Sequence, residues 1–184
     1  MILKTFKIFI ALFICTALLS CEKDFLEKKP DKALLIPTAL KDFRTLLDNE
    51  LVLNVVPALG VISGDEYFLT DALFTSLSGL ERNAYSWNKE IYDAGSQLND
   101  WNYPYQQIFY ANAALEGLDK AGRESESASQ WDIMKGSALF YRGHAFYQLA
   151  SLFASPYPAN APNDRGIPLR LSADISLKNR QGIS

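Results

Sequence analysis

The sequence predicts an all-α chain: a helical hairpin set among long irregular loops. Three observations carry this. Apolar residues recur at helical spacing in three stretches, near residues 38–48, 100–121 and 130–154. The last two are separated by only a short polar linker, Gly122 to Gln130. Between the first stretch and the second, glycine, proline and interleaved aromatics replace any regular period.

The N-terminus is a separate object. Lys4 and Lys7 precede twelve almost wholly apolar residues, Ile8 to Leu19, the pattern of a secretory signal that is too short to span a bilayer well. Leu18-Leu19-Ser20-Cys21 then has the form of a lipoprotein processing site, with a small residue before the cysteine. Cys15 lacks that context, because bulky Ile14 precedes it. Residues 1–20 are therefore expected to be a lipoprotein signal and Cys21 the lipid attachment site. Several acyl chains there hold a protein durably where one does not. Residues 21–36 form a charged tether and 37–184 the helical region. The whole chain carries net charge −3, and losing Lys4 and Lys7 makes it −5, a balance that argues against nucleic acid as a partner.

The first helix is expected after Pro37, with Thr38 as N-cap, Leu40, Phe43, Leu46 and Leu47 on one face, and an end at Asp48-Asn49. Residues 50–99 read as loops with short helical turns. The second helix starts at Asn99 or Asp100, either of which is able to cap it, with Pro104 in the first turn. Trp101, Tyr105, Ile108, Asn112, Leu115 and Leu118 share one face, and Gly122 supplies a left-handed stop. The third helix runs from about Gln130 to Ala154. Met134, Ala138, Tyr141, Ala145, Leu149 and Leu152 line one face, and Phe140, His144 and Tyr147 a second, so it is expected to pack between neighbours. Gly136, Gly143, Ala138 and Ala145 leave room for close helix approach. Pro156, Pro158 and Pro162 end it, and Gly166-Ile167-Pro168-Leu169 reads as extended. Small residues among bulky apolar ones make the hairpin tetratricopeptide-like. One such unit leaves a face unburied, which suggests an incomplete architecture.

No catalytic motif is present: no G-x-S-x-G, H-E-x-x-H, C-x-x-C or glycine-rich phosphate loop. The single histidine, His144, sits mid-helix between aromatics, and neither a metal nor a cofactor is called for. Asp65, Glu66 and Asp71 read as a solvated acidic loop. The remaining binding chemistry is aromatic. A pyranose has an apolar C–H face that stacks on Trp or Tyr, and Tyr67, Tyr85, Trp87 and Tyr92 lie in the irregular stretch where binding residues collect. Trp101 reads as packing, and Asn112, on an apolar face, as a buried residue bonded to a neighbouring loop.

In order along the chain, these features resemble the SusD/RagB family of outer-membrane nutrient-binding lipoproteins. Cys21-x3-Phe25-Leu26-x3-Pro30 resembles its mature start, and Ser63-Gly64-Asp65-Glu66 an acidic element after the first helix. Trp101-x3-Tyr105-x2-Ile108-x2-Ala111-Asn112-x2-Leu115 resembles its next helix. Gly136-x-Ala138-x3-Arg142 with Phe146-Tyr147, Leu149 and Phe153 resembles the family's succeeding helix, and Gly166-x-Pro168-Leu169 the extended segment after it. Asn112, Gly136 and Arg142 are thus structural motif positions. Ser137, Gly143 and Ala154 depart from the family's Glu, Ala and Gly. The resemblance covers only the N-terminal part of a SusD-like fold. It implies an outer-membrane lipoprotein, lipid-anchored through Cys21 and facing the exterior like Bacteroidetes surface lipoproteins. Such a protein binds a glycan or other oligomeric nutrient and passes it to a SusC-like TonB-dependent transporter, with no enzyme activity. The alternatives are a helical lipoprotein scaffold for protein docking, or a non-functional truncated fragment.

Overall fold

A computed structural model describes residues 39–156 and 166–177. The signal, Cys21, the tether, Thr38, Pro158 and Pro162 lie outside them. Seven helices are present among the described residues: α1 (Leu40–Leu47), α2 (Glu50–Leu53), α3 (Leu59–Ile62), α4 (Asp71–Ser76), α5 (Gly79–Tyr85), α6 (Asn99–Ala121) and α7 (Ala128–Phe153). There is no strand among them, and none is long and apolar enough to cross a membrane.

The α6–α7 hairpin is the frame, as the apolar spacing predicts. Ala111, Ala114, Ala138 and Ala145 have no exposed surface, so alanines carry the close approach of the two helices. Gly136 and Gly143 do not. A Cβ added at either meets nothing within 4 Å, because both lie on the outer side of α7. The glycine that is needed is Gly117, where a Cβ would fall within the ring of Phe43. Phe43 and Leu47 of α1 close over α6 there, with Leu53, Leu115, Leu118 and Met134 completing one core. A second core gathers Ile108, Ala145, Leu149 and Ile167 beneath Trp101, Tyr105 and Phe153.

The hairpin turn is sealed by its own side chains. The Leu118 carbonyl accepts from the Gly122 N–H (3.1 Å) and from Trp131 Nε1 (2.9 Å). Gly122 has φ 76°, which favours glycine. Lys135 lies 4.5 Å from the Trp131 ring centroid and pairs with Asp119 at 3.0 Å.

Three further expectations change. Pro104 sits in the second turn of α6 rather than the first, fully buried. Asp100 does not cap its own helix. Its Oδ1 accepts from the N–H groups of Ala58 (2.7 Å) and Leu59 (3.1 Å), so it caps α3 instead. The second face of α7 is open: Phe140 is 67% and Tyr147 70% exposed, and His144 is exposed too, stacked on Phe140 with centroids 5.9 Å apart.

Candidate functional site

The stretch 50–99 is built from short helices, each fixed by local capping or by a buried polar group of α6. Gln107 Nε2 donates to the carbonyls of Val52 (3.0 Å) and Val55, holding the chain after α2. Asp100 fixes the start of α3. Ser78 and Glu81 form a reciprocal capping box at the start of α5: Ser78 N–H donates to Glu81 Oε2 at 2.8 Å, and Glu81 N–H to Ser78 Oγ at 3.3 Å. The bonds from Ser78 hold the Glu81 carboxyl below its ordinary pKa. Arg82 turns inward to the Leu77 carbonyl.

Three of the four aromatics predicted as binding residues converge around α3. Tyr67 and Tyr85 have ring centroids 5.7 Å apart, and Phe74 meets Tyr85 from another side at 5.9 Å. Tyr67 OH donates to the Ile62 carbonyl at 2.7 Å, and Trp87 Nε1 to the adjacent Ser63 carbonyl at 2.9 Å. The Tyr85 hydroxyl accepts from the Leu69 N–H at 3.0 Å. The polar end of each ring is thus satisfied by backbone. Two of the three side chains stay exposed, Trp87 at 71% and Tyr67 at 40%, while Tyr85 is half-buried between Tyr67 and Phe74.

Trp87 also occupies an unusual backbone position. Its φ is 52°, in the left-handed region. Its N–H reaches the Ala84 carbonyl (3.2 Å), and the Asn88 N–H reaches that of Asn83 (2.8 Å). Those two bonds make a Schellman stop for α5, with tryptophan at the position glycine normally fills. Local strain and high exposure coincide on one large aromatic side chain. Strained backbone positions cluster at ligand sites, and this one carries an exposed indole.

Tyr92 stands apart. It joins none of these ring contacts, and its hydroxyl is buried without a partner. Burial, and then the charge of Asp100, raise its pKa.

The motif positions serve the frame. Asn112, 1% exposed, donates to the Arg170 carbonyl at 2.9 Å and accepts from Arg142 Nη1 at 3.1 Å. Gly136 faces outward. Asp65, Glu66 and Asp71 are exposed, and no group of three or more metal-ligating side chains forms among the described residues. Sequence reasoning missed Asp100 and Gln107 as organisers, because both act on backbone some forty to fifty-five residues upstream.

A family model described as "starch-binding associating with outer membrane", SusD-like, matches residues 24–181. No curated protein and no solved structure matches the chain.

Proposed function

The chain belongs to the SusD-like family, and on that premise we propose that it is an outer-membrane lipoprotein, anchored through Cys21 and facing the exterior, that binds a glycan. It presents this ligand, or another oligomeric nutrient, to a SusC-like TonB-dependent transporter, as a binding protein and not an enzyme. Trp87, Tyr67 and Tyr85 form the stacking platform. The observation that carries this reading is Trp87, whose indole N–H is already satisfied while its ring face stays open. A pyranose ring gains most from such a face, because its C–H side is apolar and its hydroxyls stay in water.

Calorimetry with neutral oligosaccharides tests the platform. Trp87→Ala is expected to lower affinity at least tenfold, and Tyr67→Ala severalfold, with unchanged helical content by circular dichroism. Binding that survives both changes sinks the platform.

The open stripe on α7 supports the partner half of the proposal. Ile133, Phe140 and Tyr147 are exposed there, with Gly136 and Gly143 between them, and contiguous exposed apolar surface marks protein contacts. It equally favours the scaffold reading, in which docking is the whole function. Co-purification of a barrel partner, lost in Phe140→Asp and kept in Trp87→Ala, combined with absence of glycan binding, would establish the scaffold instead.

A further inference from the structure

A cleft of about 540 Å³ opens between α6 and the segment 166–177, lined by Trp101, Tyr105, Phe109, Pro168 and Arg170 among others. That volume falls within the range of about 300–1,000 Å³ typical of small-molecule sites. None of the platform aromatics contributes to it.

The cleft is preformed. Three side chains of α6 strap the segment 166–177 in place. Tyr105 OH donates to the Pro168 carbonyl at 2.8 Å, and Asn112 to the Arg170 carbonyl at 2.9 Å. Glu116 Oε1 accepts from Ser172 Oγ (2.7 Å) and the Ala173 N–H (2.9 Å). The backbone beneath Arg170 is therefore fixed, which reduces the ordering cost of binding there.

Three kinds of side chain meet in the cleft. The floor is aromatic: Trp101 packs 5.0 Å from Tyr105 and 5.1 Å from Phe153, both centroid to centroid. The rim carries the amides of Asn102 and Gln106, both exposed and each able to donate and accept. One wall carries the Arg170 guanidinium, which donates to the Asp174 carbonyl at 3.2 Å with one Nη and has further N–H groups to offer. No carboxylate lines the cleft among the described residues. The nearby acids are engaged, Asp174 by the Ser176 N–H (2.8 Å) and Oγ (2.7 Å), and Glu116 by the strap.

We propose that this cleft is a second ligand site, selective for a hexuronate. The pyranose ring lies against the Trp101 and Tyr105 floor, its hydroxyls meet Asn102 and Gln106, and its carboxylate pairs with Arg170. Beside Asp174, Arg170 still has N–H groups to offer, and a planar carboxylate matches that guanidinium fork where a neutral sugar does not. The site stands on different residues from the platform and does not depend on it.

Calorimetry of the mature protein with trigalacturonate and neutral galactotriose tests the proposal. Trigalacturonate is expected to bind at least tenfold more tightly, the scale of a charge-assisted pair, and severalfold more weakly in high salt. Arg170→Gln removes that preference, and trigalacturonate still binds in Trp87→Ala, where the platform is lost. Gln106→Glu, an exposed change at the rim, is expected to weaken trigalacturonate about tenfold without shifting the melting temperature. Equal affinity for the two oligomers overturns the proposal. So does loss of trigalacturonate binding in Trp87→Ala, or unchanged binding in Gln106→Glu.

Discussion

Arg142 on α7 donates to Asn112 on α6 at 3.1 Å, and the same Asn112 amide holds the Arg170 carbonyl at 2.9 Å. One buried side chain therefore joins both long helices to the segment C-terminal to them. Asn112→Ala leaves a part-buried carbonyl and guanidinium without this partner. It is expected to cost about 2–3 kcal/mol in urea unfolding. A double-mutant cycle with Arg142→Ala should show coupling of about 1 kcal/mol or more. Strict additivity would mean that the pair contributes nothing.

Gly117 and Gly136 are both helical glycines, and they should respond oppositely to alanine. A methyl at 117 collides with Phe43, so Gly117→Ala is expected to destabilise by about 1–3 kcal/mol through overpacking. A methyl at 136 meets open space, so Gly136→Ala should stabilise by about 0.5–1 kcal/mol from helix propensity alone. Thermal unfolding of the two variants reads the sign directly.

The contrast shows what was legible in the sequence. The hairpin could be read because the spacing from Trp101 to Leu118 and the run from Met134 to Leu149 are local patterns. A glycine's reason is not local: Gly136 sits inside a recognisable motif and faces outward, while Gly117 carries no signal and touches Phe43 more than seventy positions away. Asp100 looks like a cap for its own helix and caps α3 instead, a choice fixed only when the chain folds back. The proposed platform was half legible. Exposed aromatics in an irregular stretch could be read, but their convergence depends on carbonyls of α3 that no spacing reveals. Tyr92 has the same composition signal and points its hydroxyl into the interior.

Trp87 offers a test that separates strain from binding. Glycine is the residue that a Schellman stop prefers, and a non-glycine left-handed residue costs about 1 kcal/mol or more. Trp87→Gly is therefore expected to be about 1 kcal/mol more stable than Trp87→Ala in urea unfolding. Both should lose glycan affinity equally. Equal stabilities would show that the left-handed backbone at 87 stores no strain.

Tyr105 predicts an alkaline limit. Burial pushes its hydroxyl up to about 12 from 10.0, against the opposing charge of Arg170. The folded state holds this proton more tightly than the unfolded chain does. Its contribution is thus complete below pH 10 and is lost as pH rises through about 12. Urea midpoints for wild type should fall more steeply over that interval than for Tyr105→Phe. Parallel curves would place the alkaline transition elsewhere.

Asp100 links the frame to the proposed platform through α3. Its carboxylate fixes the first N–H groups of α3, and the Ile62 and Ser63 carbonyls at the other end of α3 hold Tyr67 and Trp87. Asp100→Ala frees the start of α3, so both aromatic anchors should lose their fixed geometry. Two readouts are expected to move together. Hydrogen-exchange protection falls over residues 58–63, and oligosaccharide affinity drops severalfold. Asp100→Asn keeps an acceptor oxygen in place and should restore most of both. If affinity falls in Asp100→Asn as far as in Asp100→Ala, the negative charge and not the cap is what matters. If protection falls and affinity does not, the platform does not depend on α3 for its geometry.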